Sequence, residues 1–272
     1  MAHKEKVNYL EDMSKQIRRN IVEMVGPDKK GHIGGSCSVA EIVSVLYFEE
    51  MKLQPENPNW EGRDRFLFSK GHAALAQYAA LAELGYFSKQ EFKRLKTLGG
   101  LLQGHPETRT PGVEANTGSL GQGLSIACGM AASMKIDNKS NRVFCVMGDG
   151  EQAEGQLWEA AMAASNFSLD NLYAFIDKNR IQATGFIDER YKTDPLSDKW
   201  KAFGWYVQEV DGHNVEELME ALQDAKKVSG QPKLIIANTI KGKGISFAEN
   251  KAAYHNGLMT RENYEQALKE LA

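Results

Sequence analysis

An apolar run, Val143 to Met147, stops abruptly at Gly148-Asp149-Gly150, and a second one, Leu172 to Ile176, leads into Asp177-Lys178-Asn179. About one strand–helix–strand unit separates Asp149 from Asn179. Together they offer a carboxylate oxygen, an amide oxygen and loop carbonyls such as that of Ile181. These are hard ligands, too few to enclose a cation alone. Magnesium suits such a set, because it takes one or two carboxylates and completes its octahedron with phosphate oxygens and water. Backbone N–H groups of a glycine-rich turn at a helix start favour the same anion. The spacing predicts a magnesium-bridged diphosphate.

Histidines extend the constellation. Of the six, Gly31-His32, Gly71-His72 and Gly104-His105 each set a histidine directly after a glycine, as does Gly212-His213, and His255 precedes Asn256-Gly257. No pair has the H-x-x-x-H spacing of a zinc site. Imidazoles flanked by glycine suit a place where ring and backbone both approach a polar ligand. They can donate to phosphate and sugar hydroxyls or move protons near neutral pH. Lys70 in "SKGH" and Lys241 in "TIKGKG" add charge for phosphate.

The elements that must position these groups follow from periodicity. Apolar positions Leu10, Ile17, Ile21, Val22 and Val25 predict an amphipathic helix over 6–25, ended by Gly26-Pro27. Ser38-Val39-Ala40-Glu41 reads as a capping box before a helix reaching about Met51. In 116–136, the small residues Gly121, Ser125 and Gly129 form one helical stripe that permits close backbone approach. From 142 onward, strands at 142–147, 171–177, 205–210 and 233–239 alternate with helices at about 155–166, 195–203 and 214–228. Asn214 is the predicted cap of the last of these. This alternation implies an α/β fold, a parallel sheet flanked by helices. Ligands of such sheets sit beyond the carboxyl ends of the strands, where the 148–150 turn and the 177–185 loop both lie. The expected organisation is a single domain over 1–272, with amino-terminal helices to about 60, a core over 61–245 and a tail over 246–272.

Composition excludes several functions. The 272 residues are 42% hydrophobic and 25% charged, with a net charge of -3. No basic excess suggests nucleic acid, and no apolar stretch is long enough for a membrane span. The polar start predicts no secretory signal. Cys37, Cys128 and Cys145 lack a disulfide or zinc pattern and read as core residues in a reducing cytoplasm.

"GDGEQAEGQLWEA…NLYAFIDKNRIQATG" resembles the thiamine-diphosphate motif. With "GHIGG", "SKGHAA", "GHPE", "TGSLGQGL", "VDGHNVEEL" and "KGKG", the chain resembles the amino-terminal half of transketolase from about residue 14 to 258. The resemblance implies thiamine diphosphate and Mg2+ as cofactors, the metal held by Asp149, Asn179 and the Ile181 carbonyl. Gly150, His72, Lys241 and His255 would contact the diphosphate, and Gly118, Ser119 and Leu120 the aminopyrimidine. His32 and His105 would face the sugars. Glu154 looks like the buried acid linking two active sites across a dimer.

Lys178 stands where the family often has a first asparagine, and "GHI" replaces "GHP" at His32. Transketolases are more than twice this long. The pyrimidine-binding domain, with the glutamate that acts on the aminopyrimidine, is expected on a separate carboxyl-terminal subunit in an α2β2 assembly. The implied reaction transfers a two-carbon ketol unit between sugar phosphates, as in the pentose phosphate pathway. The alternatives are a deoxyxylulose-phosphate synthase-like ligase, a catabolic enzyme for an unusual sugar phosphate, and a non-catalytic nucleotide-binding α/β module.

Overall fold

The computed structural model describes residues 2–272. Its centre is a five-stranded sheet of β1 (Arg65–Phe68), β2 (Val143–Gly148), β3 (Leu172–Lys178), β4 (Tyr206–Asp211) and β5 (Lys233–Asn238). All neighbours are parallel, in the spatial order β1-β2-β3-β5-β4. Side chains of a strand alternate between faces, so a sheet covered on both sides needs strands apolar at every position. β2 and β3 meet that demand. Phe144, Val146, Tyr173 and Phe175 enter one core, while Val143, Cys145, Met147, Leu172, Ala174 and Ile176 enter the other.

The first core is covered by α1 (His3–Val25), α2 (Ala40–Val45), α3 (Ala74–Glu83) and α7 (Val215–Lys226). The second is covered by α4 (Gln122–Ile136), α5 (Gly155–Asn166) and α6 (Leu196–Ala202). A last helix, α8 (Arg261–Glu270), lays Ala267 into the first core. Asn214 caps α7 as predicted, accepting from Glu217 N–H at 3.2 Å. The three cysteines are buried and free. Among the described residues, no helix is long and apolar enough to cross a membrane.

Three local expectations differ from the structure. Ser38 and Glu41 form no capping box: Ser38 Oγ donates to Asp177 Oδ2 at 2.7 Å, and Arg18 binds the Glu41 carboxylate. Buried ionic partners from distant segments outweigh a cap worth about 1 kcal/mol. The helix expected to reach about Met51 is nonetheless present over 40–50, as α2 continued by wider turns at Leu46–Glu50, and a separate short helix, Ile33–Cys37, precedes it. Strand β1 has no counterpart among the expected elements, since four residues at a sheet edge carry too little alternation to register. Of the two glycines in the small stripe, Gly121, just before α4, permits a close approach, since an added Cβ would lie 2.7 Å from the Glu154 Cβ, while Gly129 has no such neighbour.

Register aligns the chemistry. Gly148 at the end of β2 pairs with Asp177 in β3, and Lys178 with Asn238 in β5. The 148–150 turn, the 177–185 loop and the Thr239–Lys241 segment therefore leave the same edge together. A separate two-stranded ribbon, Lys29–Gly31 with Gly257–Met259, draws the two ends of the chain together and brings His255 beside His32.

Candidate active site

Asp149 is 4% exposed at the head of a tight turn over Gly150–Ala153. Its Oδ1 accepts from Gly150 N–H at 2.8 Å, and its Oδ2 from Arg180 N–H at 2.5 Å, joining the two loops. Asn179 is oriented from both sides: Oδ1 accepts from Ile181 N–H at 3.1 Å, and Nδ2 donates to Asp177 Oδ2 at 2.7 Å. The Ile181 carbonyl accepts from Lys241 Nζ at 2.9 Å. The residues expected to hold a cation are thus fastened to one another.

Asp149 belongs to no ion pair among the described residues. Burial first, and the Asp177 charge second, push it up to about 7. A buried carboxylate without a counter-charge calls for a cation. The donors beside it are oxygens that each keep a lone pair after their single hydrogen bond. Gly150 keeps the approach narrow, because an added Cβ would sit 3.2 Å from Gln182 Oε1. This set fits a hard divalent ion shared with an anionic ligand.

Asp177 organises the floor. It is 0% exposed and receives Lys70 Nζ at 2.5 Å, Ser38 and Asn179 on Oδ2, and Thr239 Oγ1 on Oδ1. Burial raises it, but the Lys70 charge and these hydrogen bonds outweigh that and hold it below the ordinary carboxylate value. Lys70, expected as a phosphate ligand, is instead committed to this pair and to the Gly35 carbonyl at 2.9 Å. Lys241 has no carboxylate partner within ion-pair distance among the described residues. Burial and the Lys70 charge lower it to about 8, leaving it the cation available to a diphosphate.

Above this floor four of the histidines, His32, His72, His105 and His255, converge. The His32 ring lies 5.3 Å from His72, 6.0 Å from His105 and 5.7 Å from His255, and His72 lies 4.8 Å from His255. They share a cavity of about 450 Å³ with Asp149, Asn179 and Lys241. Gly118 also lines it and lets His105 approach: an added Cβ would be 2.8 Å from the ring. His255 Nδ1 is buried with no hydrogen-bond partner among the described residues, a polar atom placed to receive one.

Burial, then neighbouring positive charge, lowers His32 to about 4 and His255 to about 3; His72 is lowered further, and His105 is lowered too. The rings are therefore neutral at pH 7. Because their folded values lie below the ordinary one, the unfolded chain takes up protons that the folded chain refuses as pH falls from about 6.5 toward 4. Stability is fully present above that window and is lost within it. The ligand-free Tm is expected to fall across this range, and to fall less in a His32→Asn/His255→Asn variant. Equal slopes would contradict this origin.

The remaining expected residues divide. Leu120, Ile181 and Glu154 line the cavity, whereas Ser119 is exposed outside it. Glu154, expected as a buried acid, is exposed at the mouth of this chain. Of the two glutamates in this turn, the one buried within the chain is Glu151, 2% exposed, which accepts from Ser69 Oγ, from Gly121 N–H at 2.8 Å and from Gly148 N–H at 2.9 Å. Two further residues escape sequence reasoning. Asp177 is signalled only by a carboxylate ending an apolar strand, and Lys96 by nothing in its own stretch. The Lys96 charge acts on both His32 and His105.

A parallel sheet whose strand ends gather oxygen donors, a buried lysine and a histidine-lined cavity has the makings of a site for an anionic cofactor. Residues 10–271 match the family described as transketolase, thiamine diphosphate binding domain. The chain is 46% identical over 263 residues to the 6-deoxy-6-sulfo-D-fructose transketolase subunit SqwG of Clostridium sp. (strain MSTE9), covering 96% of each. It is 41% identical to a subunit of the apulose-4-phosphate transketolase of Phocaeicola vulgatus, covering 98% of this chain and 95% of that one. The crystal structure of Campylobacter jejuni transketolase superposes with a TM-score of 0.91 at 33% identity, over 97% of this chain but 43% of that longer one. The chain belongs to the transketolase family, as an amino-terminal, thiamine-diphosphate-binding subunit. These findings accord with the transketolase reading and not with a synthase-like ligase or a non-catalytic module.

Proposed function

We propose that this chain binds Mg2+ and thiamine diphosphate, and that a separate carboxyl-terminal subunit completes an α2β2 transketolase moving a two-carbon ketol unit between sugars. The observation that carries the reading is the buried Asp149, which lacks a cationic partner among the described residues and faces the same cavity as four neutral histidines and Lys241. Asp149, Asn179 and the Ile181 carbonyl would hold the ion. Gly150, Lys241, His72 and His255 would take the diphosphate, and Gly118 and Leu120 would lie against the aminopyrimidine, joined by Ser119 at the subunit boundary. When bound, the cofactor supplies the nucleophilic carbon that carries the two-carbon unit.

This chain's own part is to bind, orient and move protons. His32 and His105, being neutral, can accept a proton from a sugar hydroxyl and return it. The exposed Glu154 at the cavity mouth is placed to be covered by a second subunit, which would couple the sites. Buried free cysteines suit a cytoplasmic enzyme.

The relatives named for 6-deoxy-6-sulfo-D-fructose and apulose 4-phosphate favour a second reading of the substrate: a catabolic transketolase for an uncommon anionic sugar rather than one of the pentose phosphate pathway. Lys96, close to His32 and His105, would give this chain its own cation for the anionic end.

The test is thermal stabilisation of the two-chain complex. Thiamine diphosphate with Mg2+ is expected to raise Tm, while ATP and NAD are not. A complex indifferent to the cofactor pair would overturn the proposal. His105→Ala is expected to leave cofactor affinity unchanged and to lower kcat/KM by about 100-fold or more, the usual scale for a lost proton-transfer group. Loss of the cofactor with unaltered substrate kinetics would contradict that role.

A further inference from the structure

His213, in the turn between β4 and α7, is absent from the cavity wall, yet it is bonded to the residue before Lys241. Ile240 N–H donates to His213 Nε2 at 2.8 Å. A backbone amide can only donate, so Nε2 carries a lone pair and the ring proton resides on Nδ1. That Nδ1–H faces Glu41 Oε2 at 3.0 Å. Glu41, 5% exposed, is gripped on both oxygens by Arg18 at 2.7 and 2.6 Å. Arg18 also donates through Nε to the Cys37 carbonyl at 3.2 Å. A continuous run of bonds thus leads from α1 through α2 and His213 to Ile240.

What lies at its end is the cation of the site. The Lys241 carbonyl accepts from Asn250 N–H, and Gly242 N–H donates to the Gly34 carbonyl, both at 2.9 Å. With Ile240 fixed by His213, this segment is held on successive peptide units. Its fixed backbone aims a 2%-exposed side chain at the Ile181 carbonyl. Thr239 is held separately, its N–H donating to the Lys178 carbonyl at 3.1 Å, so freeing Ile240 would loosen the one peptide unit before Lys241 and let the ammonium drift from the anion it serves.

We propose that His213 is a positioning residue for cofactor binding, acting through Ile240 to fix the Lys241 ammonium. The inference rests on the cofactor reading above and adds a residue that touches neither metal nor diphosphate. Glu41 and Arg18 support it by fixing the tautomer whose Nε2 accepts.

Two replacements separate the ring's two bonds. In His213→Asn the amide can still reach Glu41 but falls short of Ile240. In His213→Gln the longer side chain brings an acceptor to Ile240. Thiamine diphosphate would be titrated at saturating Mg2+ into each reconstituted two-chain complex, and kcat measured at saturating cofactor. His213→Asn is expected to weaken the cofactor about 10-fold, the scale of one hydrogen bond, with kcat unchanged. His213→Gln is expected to recover to within about 3-fold on the same scale. Equal affinities for the two variants, or a kcat at saturation that falls with affinity, would overturn the proposal. A wild-type complex that binds no cofactor would overturn the functional reading as well, so the two failures are distinguishable.

Discussion

Replacing Asp149 with asparagine is expected to abolish magnesium-dependent cofactor binding and, at the same time, to stabilise the empty chain. The first effect follows from charge. Asp149 is the only anionic donor of the proposed set, and asparagine keeps its shape without its charge. Replacing residues one step removed from a metal already costs about 10- to 100-fold in affinity, so removing the charged ligand should cost about 100-fold or more. The second effect follows from the upward shift of Asp149 to about 7 by burial and Asp177. A carboxyl whose folded value is raised binds protons that the unfolded chain has released. The Asp149 contribution to stability therefore declines as pH rises from about 4 to about 7, opposite in sign to that of the histidines, and its full penalty stands above that window. Asparagine removes the penalty. The metal-free Tm of Asp149→Asn should exceed that of the wild type at pH 8, and the difference should vanish below about pH 4. Calorimetry with Mg2+ and thiamine diphosphate on the two-chain complex, with melting curves on metal-free protein, checks both. Wild-type affinity in the variant would remove Asp149 from the ligand set.

The same residue shows what could be read from the chain in advance. A carboxylate between glycines at the end of an apolar run is a local pattern. The parallel sheet then guarantees that the end of the next strand, with Asn179, arrives at the same edge. Glycine-flanked histidines are likewise local marks, and the structure gathers His32, His72, His105 and His255 into one cavity. What stayed hidden depends on contacts between distant segments. Asp177 is satisfied by residues 38, 70, 179 and 239, which no short window contains. Ser38 and Glu41 carry a sound capping signal, but each has a stronger partner elsewhere in the fold. Glu151 and Glu154 stand three residues apart in one motif, and only the turn geometry decides that the first is buried in this chain and the second exposed.

The hidden centre carries the second large effect. Lys70→Met should destabilise the chain by about 3–5 kcal/mol, the cost of leaving a buried charge without its partner. The Lys70–Asp177 pair is 2% and 0% exposed, so water cannot replace the ammonium. Against a typical domain stability of about 5–15 kcal/mol, such a loss is severe. Its pH dependence identifies the cause. In the wild type, Asp177 is held below its ordinary value, so its contribution is present above about pH 4 and is lost as pH falls through the depressed value. Without the Lys70 charge, burial is opposed only by the hydrogen bonds from Ser38, Asn179 and Thr239 and should raise the carboxyl, which reverses the sign: acidification should now relieve the variant. The Tm gap between wild type and Lys70→Met should therefore narrow from pH 8 toward pH 4. Adding Asp177→Asn should close most of the gap at pH 8, since replacing both members of a buried pair is often near neutral where breaking it is not. The introduced amide would keep an oxygen for Ser38 and Asn179, so the double variant should regain cofactor binding along with stability. A double variant no more stable than Lys70→Met would show that Lys70 supports the fold by packing, and that Asp177 does not order the floor of the site through charge.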